Sequence, residues 1–569
     1  MSADSVWLVE PPEDEEIPLP PEPPVEVEDD KQQRKSAATV LVDLARERYR
    51  LGVSSDDEPF AVPLSGPQVV RMLRGGRGSL RAELASAYFA ATGRAAPQQA
   101  LADALLVLDG LAREHDPEEL ALRVAEFHGD LVLDLGDVTG RAVRVTSTGW
   151  QLLDRSPVLF RRSALTAPLP VPVAGGFLDE LWTLLNVAEV DRVPLTAALV
   201  AALMPDVPHP ILTLVGEQGV GKSSAARMLS AVLDPSPVPS RKQPRDVDAW
   251  VTAASGSWVV SVDNVSSVPA WWSDALCRAV SGDGDVRRRL YTDGELSVFS
   301  FRRVIVLNGI DLGGMRGDLA ERLLRVELDV IEPTSRRTDR DLAAAWEDAH
   351  PRILGALLDL ACQVLAVLPG LRLSTLPRMA DFARVLAAVD KVLGTDGMSR
   401  YVGQADSLSA DVVTSEPVLA AVVRQVVAPF TGTAAELLDL LTPEEHGGRL
   451  PREWPGNPRA LSGLLKRHSP ALRRLGWQVS SAEDPHDKVL RWTLLPPEEH
   501  GGRSGSTPAT PAQTRTSAGV AGVAGHDCEG SQDDDVETCP HGMVNGNRPD
   551  PFLRGRVSCP ECALSGAAR

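Results

Sequence analysis

The sequence predicts an α/β fold in which a parallel sheet is covered on both faces. Three short stretches are apolar and rich in β-branched residues, namely ILTLVG, SWVVSVD and RRVIVLN. Strands of that composition are typical of parallel sheets buried on both sides. Helical patterns separate the three stretches, and such alternation is typical of α/β proteins. We therefore expect the core of the protein within residues 177–400.

Shifts in composition divide the chain into six segments. We expect a disordered acidic tail (1–36), an N-terminal α+β domain (37–170) and the core with a helical lid (177–400). A small C-terminal domain (415–495), a disordered linker (498–538) and a terminal segment (539–562) follow. Residues 1–30 hold eleven acidic residues and no basic one, so this tail supplies much of the net charge of −20. Residues 165–176 are rich in proline and glycine and predict a hinge.

The composition indicates a cytoplasmic protein. Its apolar runs are short or interrupted, whereas a membrane-spanning helix needs about 20 apolar residues, so we expect no membrane span. The first thirty residues are acidic and proline-rich, and we expect no secretory signal there. Six cysteines are thinly spread, which favours a reducing compartment over a disulfide scaffold. Cys277 and Cys362 lie on apolar helical faces and are expected in the core.

A glycine-rich loop, GEQGVGKS, follows the strand ILTLV and precedes a helical stretch. It fits G-x-x-x-x-G-K-[ST], in which backbone N–H groups and a helix N-terminus face phosphates. The core is therefore predicted to be a P-loop NTPase that binds ATP, with Lys222 at the β- and γ-phosphates and Ser223 at Mg²⁺. The alternative is a glycine loop without a nucleotide. The expected nucleotide-binding residues are Gly216, Glu217, Gln218, Gly219, Val220, Gly221, Lys222, Ser223 and Ser224.

Asp263 ends the second apolar strand and is expected to help hold Mg²⁺. Asn264 follows it, where many ATPases carry a glutamate that activates the attacking water. An amide can position water, but loss of a general base can also slow hydrolysis while sparing binding. Asn264 therefore leaves two alternatives, a working motor and an ATPase that binds more than it hydrolyses.

Two further polar residues follow apolar strands. Asn308 ends RRVIVLN and is expected to orient the lytic water or touch the γ-phosphate. Arg322 is expected to reach the nucleotide of a neighbouring subunit, with Arg316 and Arg325 as competitors for that role. For both Asn308 and Arg322 a purely structural role is the alternative.

In this order the stretches GEQGVGKS, WVVSVDN, VIVLN and ERLLRVEL resemble the superfamily 3 helicase core of AAA+ type. Over residues 177–400 the likeness is greatest to the primase–helicases of phages, plasmids and poxviruses. The resemblance implies a hexameric ring that binds single- or double-stranded DNA and unwinds the duplex with ATP. No cluster of metal-binding carboxylates is evident in residues 37–170, so any priming is expected from a separate primase.

The resemblance also implies a β-hairpin that grips DNA just before the strand that ends at Asn308. Residues 286–301 alternate around an Asp-Gly pair, which is a strong hairpin signal. Arg287, Arg288 and Arg289 on the first arm are the expected DNA contacts, although a solvated basic strand is the alternative. The tip of this hairpin is acidic, unlike that of the family.

The small C-terminal domain contains two helical patterns and a strand, which is compatible with a winged helix. Its second helical stretch is basic, as a helix in a DNA groove would be. Lys466, Arg467, Arg473 and Arg474 are therefore candidate DNA contacts. The alternative is a face that docks a protein or is simply solvated.

The last segment of the chain has the spacing of a zinc site. Cys539 and His541 form one close pair, and Cys559 and Cys562 form a second. Two such ligand turns separated by a loop suit a tetrahedral structural Zn²⁺. The alternative is a disordered tail with reduced thiols.

The lead hypothesis is an ATP-dependent DNA helicase or replication ATPase of a phage, plasmid or other mobile element. The second hypothesis is a DNA-bound regulatory ATPase that switches on ATP binding without unwinding. A third is a nucleotide-binding adaptor that makes no contact with DNA, which salt-sensitive binding to single-stranded DNA would exclude.

Overall fold

The computed structural model describes residues 35–74, 79–282, 284–288, 296–309, 317–442, 451, 454–486 and 488–497. In these residues the protein is a mixed α/β structure with several β-sheets. The chain divides into two compact units. The first comprises Met1–Gly66 and Val70–Glu119, and the second comprises Pro67–Val69 and Leu120–Arg569.

The first unit combines helices with a small mixed sheet. Its elements are α1 (Ala37–Arg48), β1 (Tyr49–Ser54), β2 (Pro59–Pro63), β3 (Arg71–Met72), α2 (Leu80–Thr92), α3 (Gln98–Ala112) and β4 (Pro117–Glu118). The strand order is β3-β2-β1-β4, with β1 antiparallel to β2 and parallel to β4. Leu41, Leu84 and Leu108, one from each helix, are fully buried and form the centre of this unit.

The second unit begins with an antiparallel sheet. Its strands pair in chain order and are β5 (Val124–Phe127), β6 (Asp130–Asp134), β7 (Ala142–Thr146) and β8 (Gly149–Leu153). Arg123, just before β5, is buried and forms an ion pair of 2.9 Å with Asp234. Asp234 also accepts hydrogen bonds from the backbone N–H groups of Trp258 and Val259. The range 37–170, predicted as one domain, thus falls into both compact units, and the Arg123–Asp234 pair lies within the second.

The core of the second unit is an α/β arrangement. Its elements are α4 (Asp179–Leu184), α5 (Glu189–Ala201), β9 (Ile211–Val215), α6 (Lys222–Leu233), α7 (Val247–Ser255), β10 (Val259–Val262), α8 (Ala270–Ser281), β11 (Gly284–Arg288), β12 (Leu296–Ser300), β13 (Val304–Asn308), α9 (Gly317–Ala320) and β14 (Leu323–Glu327). Strands β10, β13, β9 and β14 lie in that order in one parallel sheet.

Both faces of this parallel sheet are buried. In β13, Val304 and Val306 belong to one hydrophobic cluster, whereas Ile305 and Leu307 belong to another. Successive side chains of a strand point to opposite faces, so the two clusters lie on opposite sides of the sheet. This explains why the strands read as mostly apolar runs in the sequence.

Helices and a small sheet follow the parallel sheet. They are α10 (Asp339–Val367), α11 (Ala380–Leu393), α12 (Gly397–Ser415), α13 (Pro417–Gln425), β15 (Phe430–Thr433), α14 (Ala434–Leu441), α15 (Pro458–Arg474), β16 (Gln478–Glu483) and β17 (Leu490–Leu495). Strands β15, β17 and β16 form an antiparallel sheet in that order. Leu437, Leu465 and Trp492 are buried in the same cluster as Leu307 of β13. The segment 415–495, expected as a separate domain, therefore shares a continuous core with the parallel sheet.

Helix α10 is a core helix. In the described part of the chain, Asp339–Gly370 is long and apolar enough to cross a membrane by length and composition alone. However, Ile353, Leu354 and Leu357 have no exposed surface and pack in the main cluster. The apolar face of α10 therefore contacts protein.

The proline- and glycine-rich residues 165–176 do not form a free hinge. Val173 N–H donates to Pro351 O at 2.9 Å, and Leu169 is buried. A Cβ at Gly355 of α10 would lie only 1.8 Å from Val173 O, so the two backbones are in direct contact there. The predicted hinge is a packed segment without helix or strand, because Gly355 lets it approach α10 closely.

Burial of His350 gives the fold a pH dependence. The ring of His350 stacks on Trp346 with centroids 4.5 Å apart, and Nε2 lies 3.3 Å from Val232 O. Burial lowers the pKa of His350 to about 4, whereas histidine in an unfolded chain titrates near 6.5. Between these values only the unfolded chain binds the proton, so stability falls as the pH falls from 6.5 to 4.

We predict that His350→Gln weakens this dependence. The effect of His350 on the free energy of unfolding is roughly 3 kcal/mol at most across that window. Melting temperatures measured from pH 6.5 down to pH 4 should fall less steeply for the variant than for the wild type. Parallel curves for the two proteins would show that His350 is not a source of the acid sensitivity.

Candidate functional site

The glycine-rich loop, residues 216–223, connects the carboxyl end of β9 to the amino end of α6. Gly219 and Gly221 have φ angles of 88° and 82°, a conformation that residues with a side chain rarely adopt. Between them Val220 is 2% exposed and anchors the loop in the core. The first N–H groups of a helix lack intrahelical acceptors, so this arrangement presents donors to an anion.

Lys222, Ser223 and Asp263 meet beside this loop. Lys222 Nζ donates to Gly216 O at 2.8 Å and to Glu217 O at 2.7 Å. Ser223 Oγ donates to Asp263 Oδ1 at 3.1 Å. The two residues predicted to hold Mg²⁺ are thus adjacent, and their hydroxyl and carboxylate oxygens are the hard ligands that this ion prefers. The donor set therefore fits a magnesium site.

Asn308 lies between the loop and Asp263, because β13 pairs with both β9 and β10. Its Oδ1 accepts a hydrogen bond of 2.8 Å from Asn264 N–H, and its backbone oxygen accepts one of 2.9 Å from Val265 N–H. The Asn308 side chain is buried, and its Nδ2 has no partner among the described residues. The side chain thus fixes the turn after Asp263, and a role toward water or the γ-phosphate remains a prediction for Nδ2.

Asn264 has a left-handed backbone, with φ of 54°. Asparagine is one of the few residues other than glycine that tolerate this conformation. The neighbouring Gly309 leaves room for the turn, since a Cβ there would lie 3.0 Å from Asn264 Cα. The side chain of Asn264 is exposed. The backbone therefore explains why asparagine, and not glutamate, follows Asp263.

A segment that the sequence analysis did not single out lies over the loop. We call residues 328–337 the strap. Leu328 N–H donates to Val215 O at 2.9 Å, and Asp329 N–H donates to Asn186 O at 2.8 Å. Asn186 Nδ2 donates to Val220 O at 3.1 Å, so Asn186 joins the strap to the loop. No sequence pattern marks Asn186, which lies well before β9.

Arg322 lies at the amino ends of the parallel strands, whereas the loop lies at their carboxyl ends. Its backbone oxygen accepts from the N–H of Ile211, the first residue of β9. Its side chain forms an ion pair of 2.7 Å with Asp318. Burial alone would raise the pKa of Asp318, but the ion pair with Arg322 outweighs burial and the pKa is lowered. Arg322 is therefore not part of the loop site of its own chain. Of its competitors, Arg316 is outside the described residues, and Arg325 Nε is buried without a partner among them.

The structure separates the predicted DNA contacts of α15 into two groups. Lys466 and Arg467 are exposed. Arg473 donates to Val479 O at 2.9 Å, and Arg474 forms ion pairs with Asp406 and with a residue of the α9–β14 connection, at 3.4 and 3.7 Å. Both arginines have partners within the fold, but Arg473 is exposed, as Lys466 and Arg467 are, whereas Arg474 is half-buried.

The predicted hairpin forms from β11 and β12, which are antiparallel with Gly284 opposite Ser300. Arg287 and Arg288 are the last two residues of β11. Arg289 and the hairpin tip are outside the described residues.

The predicted zinc ligands Cys539, His541, Cys559 and Cys562 lie outside the described residues. Within the described ranges no group of three or more His, Cys, Asp and Glu side chains has the arrangement of a metal site. Cys277 and Cys362 are buried, as the sequence predicted. Burial raises the pKa of Cys277 to about 12 and that of Cys362 to about 11, so both remain thiols.

The left-handed backbone predicts the effect of substitutions at Asn264. Asn264→Gly should match or exceed the wild type in stability, because glycine adopts this conformation freely. Asn264→Glu and Asn264→Ala should each lower the free energy of unfolding by about 1 kcal/mol. Denaturant unfolding of the three variants measures this order. Equal stabilities would mean that the backbone does not select asparagine at this position.

The solved structures similar to this chain include three apo structures of the NrS-1 C-terminal region. Each covers 81% of this chain and 100% of its own, with 9%, 12% and 11% sequence identity and a TM-score of 0.35. A TM-score this low carries no argument about fold or function. No curated protein matches the chain.

Two family models match the chain. The model of the actinomycete integrative conjugative element replication protein matches residues 178–411, which include the loop, Asp263, Asn308 and the strap. The model of the C-terminal domain of this replication protein, RepA, matches residues 419–504, which include α15. Together the two models cover more than half of the 569 residues. The chain therefore belongs to the family of replication proteins of actinomycete integrative conjugative elements.

Proposed function

We propose that this replication protein binds ATP with Mg²⁺ at residues 216–224 and hydrolyses it to unwind DNA. The observation that carries the proposal is the contact of 3.1 Å between Ser223 Oγ and Asp263 Oδ1 beside the glycine-rich loop. A Lys-Ser pair at a helix N-terminus and an aspartate at a nearby strand end are the parts that P-loop NTPases use for phosphates and Mg²⁺. The order of these parts along the chain supports a core of AAA+ type.

Each group of the site has a distinct task in this proposal. The loop N–H groups and the amino end of α6 bind the phosphates, aided by the helix dipole. Lys222 exchanges its contacts with Gly216 O and Glu217 O for contacts with the β- and γ-phosphates. Ser223 and Asp263 hold Mg²⁺, which neutralises phosphate charge when bound. Asn308 keeps Asp263 in place through the turn at Asn264.

We predict that Lys222→Ala abolishes ATP turnover, because the loop then loses the cation that compensates phosphate charge. The matched control is Lys391→Ala, which removes an exposed lysine from the last turn of α11. Phosphate release by the purified full chain measures turnover. Unchanged turnover in Lys222→Ala would reject the loop as the ATP site.

For the DNA we propose two contact regions, the β11–β12 hairpin with Arg287, Arg288 and Arg289, and the exposed side of α15 with Lys466 and Arg467. A helix that carries cations on its solvent face suits a DNA backbone or groove, as in winged-helix domains. The antiparallel sheet β15-β17-β16 beside α14 and α15 is compatible with that fold.

We predict that the double variant Lys466→Ala/Arg467→Ala binds DNA about tenfold more weakly at fixed salt. The slope of log affinity against log salt should also fall by roughly 1.5, because two fewer counterions are released. Lys391→Ala/Arg424→Ala removes the same two residue types from exposed positions elsewhere and serves as the control. Fluorescence anisotropy at several salt concentrations measures both quantities, and equal slopes for the two double variants would exclude α15 as a contact.

The working assembly in this proposal is a hexameric ring in the cytoplasm. Arg322, at the sheet edge away from its own loop, would then act on the nucleotide of a neighbouring subunit. Priming would come from a separate primase, and a structural Zn²⁺ would be held by Cys539, His541, Cys559 and Cys562.

A second candidate function is a regulatory ATPase that binds DNA and switches on ATP binding without unwinding. Asn264 favours it, since the residue after Asp263 carries no carboxylate that could act as a general base. DNA-stimulated strand separation distinguishes the two. The helicase separates strands with ATP, whereas the switch assembles with ATP and shows negligible turnover.

A further inference from the structure

Arg336 approaches the glycine-rich loop from outside the loop's own sequence. A Cβ at Gly219 would lie 3.9 Å from Arg336 Nη2. The side chain of Arg336 is exposed, and the described part of the chain offers it no hydrogen-bond or ion-pair partner. A guanidinium without a partner among the described residues therefore lies next to a loop whose N–H groups are arranged for an anion.

The backbone that carries Arg336 is held on both sides. At one end of the strap, Leu328 N–H is bonded to Val215 O, and Asn186 bridges Val220 O to the same region. A short 3-10 turn, Pro333–Ser335, directly precedes Arg336. Beyond it, the side chain of Thr338 accepts from Asp341 N–H at 3.1 Å and caps α10. These anchors fix the direction from which Arg336 reaches the loop.

We propose that Arg336 binds the β- and γ-phosphates of the nucleotide in the loop of its own chain. This inference rests on the proposed ATP site and deepens it. Lys222 reaches the phosphates from α6, and Arg336 reaches them from the strap, so the phosphates are held between two cations. The planar guanidinium donates two parallel hydrogen bonds to phosphate oxygens, which a lysine cannot do. The strap would thus contact the nucleotide only when the terminal phosphates are present.

The test compares the affinities of the full chain for ATP and for AMP in the presence of Mg²⁺. The variants are Arg336→Ala and Arg336→Lys, with Arg337→Ala as the matched control. Arg336 and Thr338 both have extended backbones, so the intervening Arg337 is expected to leave the strap on the opposite side. Equal melting temperatures of the variants verify that each one folds.

Arg336→Ala should weaken ATP binding by about tenfold, the loss expected for one charged hydrogen-bonding group. AMP binding should be unchanged, because AMP lacks the two phosphates in question. Arg336→Lys should restore part of the ATP affinity, and Arg337→Ala should leave it unchanged.

Two results would overturn the role of Arg336 alone. One is equal ATP affinity in Arg336→Ala and Arg337→Ala. The other is an equal loss of ATP and AMP affinity, which would mean that Arg336 does not contact the terminal phosphates. Failure of the wild-type chain to bind ATP would instead reject the ATP site itself and Arg336 with it.

Discussion

The apolar parallel sheet is the constraint on which the candidate site depends. β13 lies between β9 and β10 and is buried on both faces, so the larger polar side chains of these three strands lie where the strands end. All three strands run in the same direction, so their carboxyl ends meet at one edge. The glycine-rich loop, Asp263 and Asn308 are brought together there, although long stretches of chain separate them.

Asn308 and Asn264 show how this edge is held in shape. The Asn308 carboxamide accepts a hydrogen bond from the backbone N–H of Asn264, in the turn that follows the neighbouring strand β10. This turn requires a left-handed backbone at position 264. The asparagine that replaces the usual glutamate is therefore part of the scaffold that orients Asp263. Its side chain is exposed, and the hydrolysis proposed for this site requires a group that positions the attacking water.

The sequence predicted the strands that carry the site, because buried parallel strands have an unmistakable apolar composition. It did not predict β15 or β16, which are short or mostly polar and exposed on the sheet edges. The segment 165–176 differs from the predicted free hinge, since Gly176 packs closely against the backbone of Arg352 in α10. Asn186 and Arg336 were missed because their placement at the loop depends on tertiary contacts. One arginine among many in the sequence gives no signal of its own.

The most direct test of the proposed ATP site is equilibrium binding of ATP to the full chain, measured with and without Mg²⁺. If Ser223 and Asp263 hold the ion, ATP should bind more tightly with Mg²⁺ in the wild type, and Asp263→Asn should lose most of that difference while still folding. An affinity that is the same with and without Mg²⁺, or an Asp263→Asn variant that keeps the full Mg²⁺ dependence, would contradict this account of the site.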